Sequence, residues 1–197
     1  MIATRNKPYH HGNLAAVLVD VAAALVEEDG AAAVTVRAVA QRAGVTATAL
    51  YRHYADKEAL LTAVAARGFA ALVQRFEQAR PGRAPREALT ALGMAYVDFA
   101  NEHPHLHGLM FGPRVPGADA NAELSTLAEQ SFRLLVEATA ACLGPQAPLQ
   151  KTMSTAVALW SLVHGFATLR RDGQLGGMPT DLLPDPIEII SSLMPPP

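Results

Sequence analysis

The stretch TVRAVAQRAGVTATALYRHYADKEALL, residues 35–61, restricts the fold more than any other part of the chain. It is punctuated for helices. Thr35 precedes the apolar-periodic run Val36, Val39, Ala40, Ala43; Gly44 ends that run; Thr46 opens a second segment reaching about His53; Asp56 opens a third. Threonine and aspartate side chains accept hydrogen bonds from the free amides of a first helical turn, and glycine tolerates the left-handed conformation that ends one. The first two helices so defined run to about eight residues, below the roughly 12–15 that an isolated helix needs in water. They persist only if packed on something longer. Their outward sides carry Arg37, Gln41 and Arg42 in the first, and Thr46, Ala47, Thr48, Tyr51, Arg52 and His53 in the second, while Ala49 and Leu50 turn inward with Val45 and Tyr54 at the ends.

The longer partners are readable on both sides. Leu14, Leu18, Val21 and Leu25 form one stripe of a helix from about Asn13, a candidate cap, to Asp29, with Gly30 placed to end it. The run DKEALLTAVAARGFAALVQRFEQA predicts a fourth helix with Leu60, Leu61, Val64, Phe69, Leu72 and Phe76 on its apolar side. The string RPGRAP, residues 80–85, is the clearest linker, so a domain boundary is expected at or near it. Beyond it the pattern predicts helices from about Arg86 to Glu102, His105 to Phe111, Ala122 to Leu143 and Leu149 to Arg171, with loops GPRVPGADAN and GPQAP, and a Gly/Pro-rich end containing IEIISSLM. No strand alternation and no internal repeat stands out, so the expected fold is all-α.

Half of the residues are hydrophobic and 17% are charged, enough apolar material for a globular core. A net charge of −2 gives no overall attraction to a polyanion, so any such partner must meet a local patch. One exists: from Thr35 to Glu58 the cations Arg37, Arg42, Arg52 and Lys57 outnumber Asp56 and Glu58, and Arg5 and Lys7 lie in a polar N-terminal arm. The single cysteine, Cys142, makes no intrachain disulfide and reads as a small buried hydrophobe. The N-terminus lacks the apolar run of a signal peptide, and no segment offers roughly 18 uninterrupted apolar residues. The expectation is a cytoplasmic protein with no membrane partner.

Two short helices about a glycine turn, braced by a first helix and followed by a fourth, make a helix-turn-helix unit. Its second helix is thin enough to enter a DNA major groove about 12 Å wide. Near that helix's start, Thr46, Ala47 and Thr48 are short enough for base edges and thymine methyls, while Tyr51, Arg52 and His53 reach toward phosphates. Lys57 and Thr35 sit at helix starts, where amides and the dipole favour an anion. The competing reading makes the same residues an amphipathic surface, with Arg37 and Arg42 merely solvated. The residues VRAVAQRAGVTATALYRHYADKEALL decide in favour of the first: from about His10 to Leu61 the chain resembles the DNA-binding domain of the TetR family of transcriptional regulators. That resemblance implies that Thr46, Ala47, Thr48, Tyr51, His53 and Lys57 approach DNA. Ala47 departs from the basic or polar residue more usual in the family, which implies fewer direct base contacts there. The arm PYHHGNL resembles one branch of the family, with His10 and His11 either approaching DNA or shielding the first helix.

In the longer C-terminal part, ALWSLVHGFATL and EHPHLHGLMFG resemble the WHG-type effector domain of the same family, named for Trp160, His164 and Gly165. Read from the residues alone, Trp160 and His164 share one helix face, and Gly165 lets a neighbouring backbone come close. With Leu106, Met110 and Phe111 they either line an apolar cavity with one polar anchor or form packed core around a satisfied histidine. His103 and His107 would share a face while His105 points elsewhere, without further ligands at metal spacing, so no metal or cofactor is expected. Glu102 is a lone carboxylate and no serine sits in a nucleophile elbow, so an enzyme is not expected. The long helices carry Leu127, Leu134 and Leu135 in one and Met153, Val157, Trp160 and His164 in the other, more apolar surface than one small bundle hides. A two-fold four-helix contact between copies would cover it.

The resulting expectation divides the chain into a DNA-binding head with its arm, residues 1–60, and a helical effector-binding and dimerisation domain, residues 61–197. Its function would be that of a sequence-specific regulator, a homodimeric repressor released from a palindromic operator in double-stranded DNA by a small-molecule effector. The alternative is a helical ligand-binding or metal-dependent protein that reads no DNA.

Overall fold

The computed structural model describes residues 14–112, 121–179 and 185–192, and every regular element among them is helical. In order they are α1 (Leu14–Asp29), α2 (Val36–Ala43), α3 (Ala47–Tyr51), α4 (Lys57–Ala79), α5 (Pro85–Glu102), α6 (Pro104–Phe111), α7 (Ala122–Leu143), α8 (Leu149–Arg171) and α9 (Pro186–Ser192). The arm with Arg5, Lys7, His10 and His11, the candidate cap Asn13, and most of the loop after Gly112 lie outside the described residues.

The caps act where the sequence places them. Thr35 Oγ1 accepts from the Ala38 amide at 3.1 Å, Thr46 Oγ1 from Ala49 at 3.2 Å and Asp56 Oδ1 from Ala59 at 2.7 Å. Gly44 closes α2 at φ 70°, a left-handed value that a side chain would strain. Two boundaries differ from expectation for a common reason. Pro85 and Pro104 each begin a helix one residue earlier than read, because proline lacks only an amide that a first turn leaves unpaired anyway. Helix α3 stops at Tyr51, shorter than the expected reach to His53: the amides of His53 and Tyr54 both turn back to the Leu50 carbonyl, at 2.9 and 3.0 Å. That turn brings Tyr54 back to α1, where its hydroxyl donates to the Ala15 carbonyl at 3.2 Å.

Helix α4 is the axle of the molecule. Its first half joins Leu18, Val26, Val34, Val39 and Leu50 in the core of the head through Leu60 and Val64, and its second half packs on α5 and α7 through Leu72, Val73 and Phe76. The helix is continuous across residue 60, so the expected division at 60/61 falls within a single rod. Around its second half, α5 packs against α7 and α8, and α9 lies across α5 and α8.

Although neither is an uninterrupted apolar run, α4 and α8 are each long and apolar enough by length and composition to cross a membrane, with mean hydropathies of 1.3 and 1.2 over their most apolar windows. For α4 the cause is burial, since most of that window is enclosed by its neighbours. Helix α8 hides only a third of its window and leaves Leu149, Met153, Val157, Trp160 and Leu169 exposed.

Candidate functional site

The head presents α3 outward on a stiff support. Leu50, wholly buried, pins the helix to the core, while Ala47, Thr48, Tyr51, Arg52 and His53 are all exposed on the opposite side. Tyr51 keeps 54% of its surface open, a large aromatic exposure on one short helix. Arg37 is exposed on α2 beside this surface. Arg42 is otherwise engaged: both its terminal nitrogens bond the Glu28 carboxylate, at 2.5 and 2.6 Å, tying α2 to α1. That pairing holds the Glu28 carboxyl below its usual range, the hydrogen bond contributing most.

Three of the expected DNA contacts have structural duties of their own. The hydroxyl oxygens of Thr35 and Thr46 accept helix-start amides, leaving each hydroxyl proton free to donate. Lys57 is half-buried and reaches back to the Ala32 carbonyl at 3.5 Å. The Asp56 carboxylate occupies the Ala59 amide at the start of α4 and adds a negative charge there, so that this end offers an incoming phosphate less than its dipole alone suggests.

In the other half, a cavity lies among α4, α5, α6, α7, α8 and α9, lined by Leu72, Phe76, Leu89, Leu92, Gly93, Tyr96, Phe111, Ser131, Phe132, Leu135, Leu159, Trp160, Val163 and Ile190. It is narrow, with a cavity volume of about 60 Å³ open to the centre of a water molecule. Of the residues expected to touch a ligand, Phe111 and Trp160 line this cavity. Trp160 is 38% exposed, with its ring 5.7 Å from that of Phe132 and 6.4 Å from that of Phe111. Leu106 and Met110 lie elsewhere: a Cβ placed on Gly68 would come within 3.1 Å of Leu106 Cδ1 and 2.5 Å of Met110 Sδ, so both side chains fill the gap that glycine leaves on α4. Their role is to seat α6 on the axle.

His164 stands one hydrogen bond behind the cavity wall. Tyr96 Oη lies 2.7 Å from His164 Nδ1 and 2.9 Å from His107 Nε2, and Arg171 Nη1 lies 3.4 Å from His107 Nδ1. Arginine only donates, so the direction of the whole chain is set. His107 Nδ1 accepts from Arg171, its protonated Nε2 donates to Tyr96, and the tyrosine hydroxyl donates to His164. Burial, followed by the nearby His164 and Arg171, pushes the wholly enclosed His107 down to about 4. Burial first and then Arg171 lower His164 too, and burial raises the Tyr96 phenol despite smaller opposing effects of Trp160 and Arg171. Sequence reading missed Tyr96, the hub. Nothing in AYVDF distinguishes it from an ordinary core aromatic.

The three clustered histidines part company. His103 Nδ1 lies 2.7 Å from Glu27 Oε1, His105 Nδ1 lies 3.1 Å from the Val26 carbonyl, and His107 joins Tyr96. Two of them thus dock the start of α6 on the end of α1, while Phe111 at its other end lines the cavity. Gly165 does not admit a neighbouring backbone from among the described residues, since a Cβ there would meet nothing within 4 Å.

Comparison with known proteins agrees with this geometry. Residues 18–64 match the family described as bacterial regulatory proteins, tetR family, and residues 89–186 match the tetracyclin repressor-like C-terminal domain. The chain belongs to the TetR family. As in that family, its helix-turn-helix head is a DNA-binding domain and the protein is a transcriptional regulator. A protein of unknown function from Rhodococcus sp. RHA1 shares 32% identity and a TM-score of 0.76, with 95% of this chain and 94% of that one covered. An uncharacterized HTH-type transcriptional regulator of Mycobacterium tuberculosis is 25% identical over 83% of this chain and 73% of its own length. The TetR family regulator PfmR from Thermus thermophilus, 18% identical with a TM-score of 0.60 over 90% of this chain and 96% of that one, shares the fold.

Proposed function

We propose that this TetR-family regulator is a homodimeric repressor that a small molecule releases from a palindromic operator. One observation carries the reading: α4 starts in the core that Leu50 of the exposed α3 joins, and its second half forms part of the cavity wall. Leu60 packs in the head core, while Leu72 and Phe76 line the cavity about 18 to 24 Å further along the same rigid helix. A ligand that fits one position of this rod better than another changes DNA affinity by that difference in binding free energy and no more. Helix α6 supports a second connection, with Phe111 at the cavity and His103 and His105 on α1.

Thr48, Tyr51, Arg52 and His53 would carry the contacts of α3 with DNA, joined by Ala47 and Arg37; Thr35, Thr46 and Lys57 would contribute while keeping their structural bonds. Dimerisation is supported by α8, whose exposed side combines Met153 and Val157 with the small residues Ser154, Ala158, Ser161 and Gly165. Small residues let a second helix approach closely, and the open space at Gly165 suits it. Two heads about 34 to 36 Å apart would then meet successive major grooves. In this reading residues 1–60 read DNA and residues 61–197 bind the effector and the second copy. We place the protein in the cytoplasm, where its operator would be.

Selection of bound duplexes from random DNA tests the proposal. A palindromic preference is expected, weakened by Thr48→Ala or Tyr51→Ala, whereas Lys57→Ala weakens all duplexes and reduces the salt slope. A protein that retains no duplex over competitor at modest salt would end the reading.

A further inference from the structure

We propose that the cavity takes an uncharged, slender, predominantly apolar molecule, and that the molecule enters by displacing Ile190 of α9 from its seat on Gly93. The proposal deepens the effector reading above, since it names what that site accepts.

The chemistry of the wall excludes charge. Among the described residues no Asp, Glu, Lys or Arg lines the cavity, and its polar side chains are Tyr96, Ser131 and the Trp160 indole. The first two are already satisfied within the protein: Tyr96 bridges two histidines, and Ser131 Oγ donates to the Ala128 carbonyl at 2.7 Å. An entering carboxylate or ammonium would lose its water and meet no counter-charge, a loss worth at least about a hundredfold in affinity. A methylene chain loses nothing polar, and each added methylene gains about fourfold.

The shape of the wall explains the plug. Gly93 lies in the middle of α5, where glycine weakens a helix. A Cβ there would come within 2.7 Å of Ile190 Cδ1 and 3.2 Å of Ile190 Cγ1, so the isoleucine enters the cavity wall only because residue 93 has no side chain. Ile190 is 2% exposed, yet it belongs to a seven-residue helix whose Ile187 stands 47% open to solvent. Ile190 forms the wall of this narrow space beside Gly93, held by a short element that packs on α5 and α8. Shortening the side chain would enlarge the cavity on the side of Gly93.

Trp160 is the only tryptophan in the chain and lines the cavity, so its fluorescence reports occupancy directly. The probes are n-alkanols from hexanol to decanol, with carboxylates and primary amines of equal length at pH 8. The expected result is alkanol binding that tightens about fourfold per methylene, with both charged series at least about a hundredfold weaker. Ile190→Ala should tighten the longest alkanol threefold or more, with helicity and melting checked by circular dichroism; should alanine fail to fold, Ile190→Val carries the same sign. No response to any alkanol, carboxylate binding equal to alkanol binding, affinity independent of chain length, or a folded Ile190 variant that weakens every alkanol each overturns the proposal. The selection of duplexes uses the unliganded protein, which keeps the two readings separable. An operator preference without an alkanol response removes the ligand class and leaves the regulator standing, and the converse removes only the DNA reading.

Discussion

Acidification should destabilise this protein in part through His107, over a window set by its burial. His107 has no exposed surface and is held neutral in the fold down to about pH 4, while the unfolded chain protonates it near 6.5. Between those values the unfolded state binds the extra proton, so the contribution of His107 to stability is complete above about pH 6.5 and drains away as the pH falls toward 4. At about 1.4 kcal/mol per pH unit, the loss reaches about 2 to 3 kcal/mol by pH 4.5, a ceiling that relaxation of neighbouring side chains lowers. His107→Gln isolates this contribution, because glutamine keeps a donor for Tyr96 and an acceptor for Arg171 but does not titrate in this range. Urea unfolding followed by Trp160 fluorescence, run from pH 8 to 4.5 on both proteins, gives the difference in stability at each pH. The lowered His164 acts with the same sign and is present in both, as are all the surface carboxylates, so the difference reports His107 together with its coupling to His164. Wild-type stability should fall relative to the variant by about 2 kcal/mol across the window. A difference that stays flat would mean that His107 is not held neutral by burial, and the direction assigned to the Arg171, His107, Tyr96, His164 chain would fall with it.

Other perturbations probe the separate parts. Leu50→Ala leaves a hole beneath α3 and should cost about 2 to 5 kcal/mol in urea unfolding; a cost near zero would contradict its place in the core. Gly44→Ala meets no atom within 4 Å, so its cost, about 1 kcal/mol, should come from the left-handed backbone alone and be partly recovered by Gly44→Asn. Val157→Glu puts a charge on the exposed side of α8; sedimentation should find it monomeric where the parent chain is dimeric, and an unchanged mass would move the interface elsewhere.

What the sequence makes legible is what neighbours along the chain decide. Caps, a glycine turn and apolar spacing are local, and so the pattern predicts the helices from α1 to α8 to within a residue or two at nearly every boundary. Even the short α3 is located, with its exposed side correct, because Leu50 and Ala49 alternate with polar residues at helical spacing. The cavity is only half legible, for a reason that lies in packing. The sequence marks Trp160 and His164 as one face of α8, but which helix that face meets depends on how six helices cross, and no spacing within α8 encodes it. Tyr96, on α5, joins His107 from α6 and His164 from α8 at a point no motif spans. Gly68 and Gly93 are silent for the same reason. A glycine within an apolar helix reads as a weakness until the structure brings Met110 to one and Ile190 to the other. Each gives up helix propensity at its own position to admit a side chain from a distant element. Both therefore lie where α6 and α9 bear on the helices that carry the cavity, and movement of either contact alters the cavity wall or the rod leading to the head.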